Sequence, residues 1–139
     1  MAQVLIIDDD KLMCKMLSGL VLNRGHEATC AFSLEEGLEH AAQQNFDVIF
    51  LDVWLPDGNG MEAIPHLRGL PSSPEIIIIT GSGDADGAEL AINHGAWDYV
   101  EKTSSISQMA LPLVGALNYR QEKQAHKQPV ALKLEGLVG

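Results

Sequence analysis

"DVIFLD" at residues 47–52 carries four apolar residues in an unbroken run and ends on an acid; "VWLPDGNG" at 53–60 turns sharply behind it. An unbroken apolar run, rather than an alternating one, is what a parallel strand covered on both faces requires. "QVLIID" at 3–8 and "EIIIIT" at 75–80 read the same way, and the four isoleucines of the latter suit a central strand. "EATCAF" at 27–32 and "WDYVEK" at 97–102 complete a set of five.

Helical patterns lie between the strands. "KLMCKMLSGLVLNRG" at 11–25 sets Leu12, Met13, Met16, Leu17 and Leu20 on one stripe and ends at Gly25, a C-cap residue. Ser33 and Glu36 form a capping-box pair that opens "SLEEGLEHAAQQ". "MEAIPHLRGL" is a weaker helix, because Pro65 removes a donor unless it sits in the first turn. Asp86 with Glu89 starts "GAELAINHG", and Ser105 with Gln108 starts the last helix. Strand–helix alternation repeated five times predicts an α/β fold with a doubly wound parallel sheet.

The 139 residues are 46% hydrophobic, which is one domain's worth of core. No apolar stretch approaches the roughly 20 residues a bilayer needs, and "MAQVLIIDDD" has no signal-peptide character. These features predict a cytoplasmic chain without a membrane partner. Cys14 and Cys30 then read as two free thiols in a reducing compartment rather than a disulfide. Net charge is −12 over residues 1–110 and +2 over 111–139, an acidic body unsuited to gripping nucleic acid directly. The five histidines are scattered and read as surface or helix-end residues.

In a doubly wound sheet the binding crevice lies beyond the carboxyl ends of the strands. The first strand delivers Asp8 and Asp9 there, with Asp10 just behind; the third delivers Asp52, the fourth Thr80 and the fifth Lys102. Taken singly, the acids suit a helix N-terminus, Thr80 a strand end and Lys102 an ordinary surface. Their joint placement is what points to a site. Clustered carboxylates repel unless a cation sits among them, and an all-oxygen set suits Mg²⁺. A metal, an ammonium, a hydroxyl and a carboxylate nucleophile are the parts that phosphoryl transfer needs, with "PDGNG" exposing Asp52.

"VLIIDDD" at 4–10, "DVWLPDGNG" at 52–60, "IIIITGSG" at 76–83 and "AWDYVEK" at 96–102 together resemble the receiver domain of bacterial two-component response regulators, over about residues 3–120. The resemblance implies a flavodoxin-like (βα)5 sandwich with strand order 2-1-3-4-5. It implies Asp52 as phosphoacceptor, served by a histidine kinase or a phosphotransfer protein. Mg²⁺ would be held by Asp9, Asp52 and the backbone carbonyl of Trp54, with Asp8 acting through a metal-bound water. Thr80 and Lys102 would bind phosphoryl oxygens, and Thr80 with Tyr99 would form the conformational switch. Trp54 and Ser82 occupy positions that tune phosphoryl lifetime. The fourth and fifth strand–helix units would serve as a homodimer face. The domain assists its own phosphorylation and dephosphorylation and is not otherwise an enzyme.

One departure stands out. The family's lysine is usually followed by proline across a cis bond, whereas Thr103 follows Lys102, so a trans or strained loop is expected and the reach of Lys102 is in question. Residues 1–120 read as the receiver and 121–139 as a linker or tail, with Pro129 ending any helix that continues past 120. "LEGLVG" at 134–139 resembles the entry to the ATPase domain of enhancer-binding transcription activators of the nitrogen-regulation type, which implies an output domain controlling transcription. Two other classes are open: a pseudo-receiver acting as a phosphate-independent interaction module, and an aspartyl-nucleophile phosphatase, against which Trp54 stands where such an enzyme wants an acid–base aspartate.

Overall fold

The structure is a computed structural model that describes residues 1–81 and 85–138, and the side chains of 1–81 and 87–125. Five parallel strands form one sheet: β1 (Gln3–Ile7), β2 (Glu27–Ala31), β3 (Val48–Asp52), β4 (Glu75–Thr80) and β5 (Asp98–Glu101), in the spatial order 2-1-3-4-5. Five helices connect and follow them: α1 (Lys11–Asn23), α2 (Leu34–Gln43), α3 (Gly60–Arg68), α4 (Ala85–Asn93) and α5 (Ile106–Val138). The expected flavodoxin-like (βα)5 order is the observed one.

The unbroken apolar strands divide their side chains between two cores. Leu5, Ile7, Ile49, Leu51, Ile76 and Ile78 point to one face, where Ala41 of α2, Ile64 and Leu67 of α3 and Ala91 of α4 cover them. Val4, Ile6, Val48, Phe50, Ile77 and Ile79 point to the other, under Leu17 and Val21 of α1 and Met109, Leu113 and Ala116 of α5. Adjacent residues of one strand thus serve opposite cores, as a period of two demands.

Several helix signals act as expected. Ser33 accepts the Glu36 N–H while the Glu36 carboxylate accepts the Phe32 N–H, and Gly25 follows α1 with a φ of 82°. Ser105 and Gln108 bond reciprocally at the start of α5. Other expectations need correcting. The buried stripe of α1 is Met13, Cys14, Leu17, Leu20 and Val21; Leu12 is 65% exposed, and Met16 is exposed as well. Pro65 stands inside α3 rather than in its first turn. α5 runs to Val138 and therefore through Pro129, as it already does through Pro112. A proline removes one hydrogen bond at a cost of about 3 kcal/mol, which penalises a helix without obliging it to stop. The side chain of Asp86 lies outside the described set.

No helix among the described residues is long and apolar enough to cross a membrane. Both cysteines are free thiols, Cys14 buried and Cys30 partly so.

Candidate functional site

Strand order brings the candidate residues together. β1 and β3 are direct neighbours in register Ile7 with Leu51, so the residues that follow them, Asp8 and Asp52, emerge side by side. β3 pairs with β4 so that Asp52 lies opposite Ile79, and Thr80 extends one step beyond it. Asp8 is fully buried, and Asp52 and Thr80 nearly so.

The acids form a cluster: one carboxylate oxygen from each of Asp8, Asp9 and Asp52 lies within 4.8 Å of the other two. Asp9 is the exposed member. Asp10 turns away to cap α1, accepting the N–H groups of Leu12 and Met13, so the helix-start reading holds for this acid alone. Its own N–H goes to Asp8 Oδ1 at 2.9 Å. Asp8 is further fixed by its backbone: its N–H bonds the Ala31 carbonyl, and its carbonyl accepts the Cys14 thiol at 3.2 Å. Burial pushes that thiol up to about 12, with the charges of Cys30 and Asp8 adding to it, which favours the protonated form that donates to the Asp8 carbonyl.

Lys102 reaches into the cluster. Its Nζ lies 3.1 Å from Asp52 Oδ2 and 3.3 Å from Asp8 Oδ1. Its backbone N–H bonds the Thr80 carbonyl at 2.8 Å, which anchors the residue directly beside the end of β4. Among the described residues no peptide bond is cis, so the Lys102–Thr103 bond is trans, and the ammonium still arrives. Burial lowers the Lys102 pKa, but the hydrogen bond and charge of Asp52, then those of Asp8, outweigh it and hold the ammonium above its ordinary range. Burial also dominates at Asp8, pushing its carboxyl up to about 6; the Asp10 amide opposes this, the charge of Asp52 adds to it, and Lys102 opposes it again.

One polar atom of the cluster is left over. Asp8 Oδ2 is buried and has no hydrogen-bond partner among the described residues. A buried carboxylate oxygen without a donor is costly, and a cation or its water would satisfy it. The ligands on offer are all hard oxygens, the set preferred by Mg²⁺ over softer metals. The residues therefore fit the metal.

The loop behind Asp52 is a hairpin that the sequence did not reveal: two-residue strands, Trp54–Leu55 and Gly58–Asn59, pair antiparallel. Gly60 closes it, with its N–H on the Val53 carbonyl at 2.8 Å and no room for a Cβ against the Asp52 carbonyl. The Trp54 N–H points to Asp52 Oδ1 at 3.4 Å, while its side chain is 74% exposed. Tyr99, on β5 opposite Ile78, has a partly exposed ring. Ser82 lies outside the described residues.

Comparison with known proteins agrees with this geometry. Residues 4–112 match the response regulator receiver domain. The response regulator ArlR of Staphylococcus aureus is 28% identical over 123 residues, which are 88% of this chain and 56% of ArlR, so the chain spans little more than half the length of such relatives. A receiver domain from Clostridium thermocellum superposes with a TM-score of 0.79 at 28% identity, covering 87% of this chain and 98% of that one. NtrX from Brucella abortus, solved in complex with ATP, gives a TM-score of 0.84 at 25% identity, covering 91% of this chain but 29% of its own length. This chain belongs to the response regulator receiver domain family.

Proposed function

We propose that the chain accepts a phosphoryl group on Asp52 from a sensor histidine kinase or a phosphotransfer protein, and that the resulting change of state controls an output. The observation that carries this is the Lys102 ammonium bridging Asp52 and Asp8 beside an acidic cluster with one buried oxygen that no described residue bonds. A carboxylate oxygen of Asp52 attacks phosphorus; the new P–O bond replaces the P–N bond of a phosphohistidine, and the leaving imidazole takes a proton from solvent. Lys102 stands within reach of the attacked group and neutralises one phosphoryl oxygen, and the Thr80 hydroxyl donates to another. Asp9, Asp52 and the Trp54 carbonyl would hold Mg²⁺, with Asp8 acting through a metal-bound water; the ion, when bound, supplies charge neutralisation for the phosphoryl oxygens.

Movement of Thr80 toward the phosphoryl group, followed by the Tyr99 ring, is the proposed switch, read out on the face of α4, β5 and α5 where a second copy would dock. Residues 1–120 are the receiver in this reading, and 121–139 lead to an output part, with transcription as the output. The setting is cytoplasmic.

The test is incubation with acetyl phosphate and Mg²⁺ followed by intact mass. A gain of about 80 Da, abolished by Asp52→Asn and by chelation, is expected. A wild-type chain that gains no mass from either acetyl phosphate or a phosphohistidine donor is instead the interaction module, and the reading fails.

A further inference from the structure

The hairpin after Asp52 carries one more carboxylate, which the phosphoryl chemistry does not use. Pairing of Trp54 with Asn59 and Leu55 with Gly58 leaves Pro56 and Asp57 at the tip. Asp57 Oδ1 accepts the Leu34 N–H and Oδ2 the Glu35 N–H, each at 2.8 Å, although more than 20 residues of sequence intervene. Both amides belong to the first turn of α2. The Glu36 amide is already taken by the Ser33 hydroxyl at 3.1 Å. The bridging acid thus fills donors that have no partner within the helix and faces the positive end of its dipole. The Glu35 and Leu34 amides accordingly hold the Asp57 pKa below its ordinary value.

A helix can be capped by its own flank, as Ser33 does here. An acid that arrives from another loop also ties that loop to the helix. The hairpin's base is closed by Gly60 on the Val53 carbonyl. Near its tip a Cβ on Gly58 would lie 2.9 Å from Leu34 Cδ2, so the turn packs directly on α2. The segment is fixed at both ends, and Trp54 lies between them.

Taking the metal assignment above as given, we propose that Asp57 is a positioning residue for the metal site: its two-pronged hold on the first turn of α2 fixes the hairpin and, with it, the Trp54 carbonyl. The contacts are exposed, so water replaces them readily and folding loses little; the loss falls on the placement of the ligand instead.

The test is calorimetric titration of the full chain with Mg²⁺ alone, well below the melting temperature, for wild type, Asp57→Ala, Asp57→Asn and Ser33→Ala. Asp57→Ala is expected to weaken binding about tenfold, the low end of what losing a group that orients a metal ligand costs. Asp57→Asn, which keeps one oxygen acceptor, falls between. Ser33→Ala strips the other cap from the same helix without touching the hairpin, so it lowers Tm and leaves Mg²⁺ affinity unchanged. Wild-type affinity in Asp57→Ala overturns the role of Asp57 alone, as does an equal loss in Ser33→Ala. A wild-type chain that binds no Mg²⁺ overturns the metal assignment and this proposal with it.

Discussion

The Lys102 ammonium lies 3.1 Å from Asp52 Oδ2 across fifty residues of sequence. Strand pairing makes that meeting, since the Lys102 N–H is bonded to the Thr80 carbonyl and Thr80 stands beside Glu101 in the β4–β5 register. The residue after the lysine has no part in it. Thr103 in place of proline therefore leaves the ammonium in contact with Asp52 and Asp8.

Lys102→Ala separates two effects of this cation. Without it the phosphoryl oxygens lose a charge-paired donor, and phosphorylation by acetyl phosphate should slow by about a hundredfold. The same change removes a positive charge from the acidic cluster, so Mg²⁺ affinity should rise. Rate is followed by intact mass and affinity by titration. A slower reaction with weaker Mg²⁺ binding would point to a disturbed fold instead.

Asp8 carries the pH dependence. Its carboxyl moves from 3.8 to about 6, so the metal-free folded chain holds the proton more tightly than the unfolded one. The stability this group contributes is complete below pH about 4 and is lost as pH rises through about 6. At pH 7 the buried anion is a net cost, and Asp8→Asn should stabilise the metal-free chain by about 2 kcal/mol. Urea denaturation in chelator at pH 7 and pH 4 measures this, and the gain should shrink at the lower pH. Added Mg²⁺ should stabilise wild type more than the variant.

Much of the fold was legible because its signals are local. Unbroken apolar runs mark covered strands, and Ser33 with Glu36 or Ser105 with Gln108 mark helix starts from within four residues. The meeting of Asp8, Asp9, Asp52 and Lys102 follows once strand order is known. What stayed hidden depends on tertiary partners. Nothing near Asp57 in sequence says that it caps α2, and Leu12, read on one helical stripe with Leu20, is largely exposed while Leu20 is buried. In sequence Glu75 is merely the first residue of a strand, yet it is a buried charge.

Gly60→Ala tests the closure of the hairpin. A Cβ at this position would collide with the Asp52 carbonyl, which is backbone and cannot swing aside. The turn must open or the end of β3 must shift. A loss of about 1–3 kcal/mol, the usual scale for overpacking a tight site, should accompany reduced phosphorylation of the molecules that still fold. Gly19→Ala is the control, since a methyl there meets nothing within 4 Å. Circular dichroism melts and mass after acetyl phosphate give the two readouts.

Glu75 stands at the amino end of β4, the opposite end from Thr80, and is nearly fully buried. Lys123 Nζ lies 2.8 Å from its Oε1 and Arg68 Nη1 3.3 Å from its Oε2, with Arg120 Nη1 at 3.8 Å. Arg120 also donates to the Ser72 and Ser73 carbonyls, and Lys123 lies 4.4 Å from the centre of the Tyr119 ring, which stacks on Trp97. This network holds α5 to the sheet beyond Leu117, where the apolar core packing of the described residues ends in that helix. Removing the Glu75 charge leaves Lys123 and Arg68 without their carboxylate, while Arg120 keeps Asp47 at 3.4 Å. The cations also keep some solvent, so Glu75→Gln should cost about 2 kcal/mol rather than the larger loss of a sealed pair. Lys123→Ala leaves two cations on the acid and should cost less, about 1 kcal/mol. Because the acid is a strand's length from Asp52, phosphorylation by acetyl phosphate should proceed at the wild-type rate in both variants. Urea denaturation beside a mass time course separates the effects, and slowed phosphorylation in Glu75→Gln would mean that the two ends of β4 are coupled through the sheet.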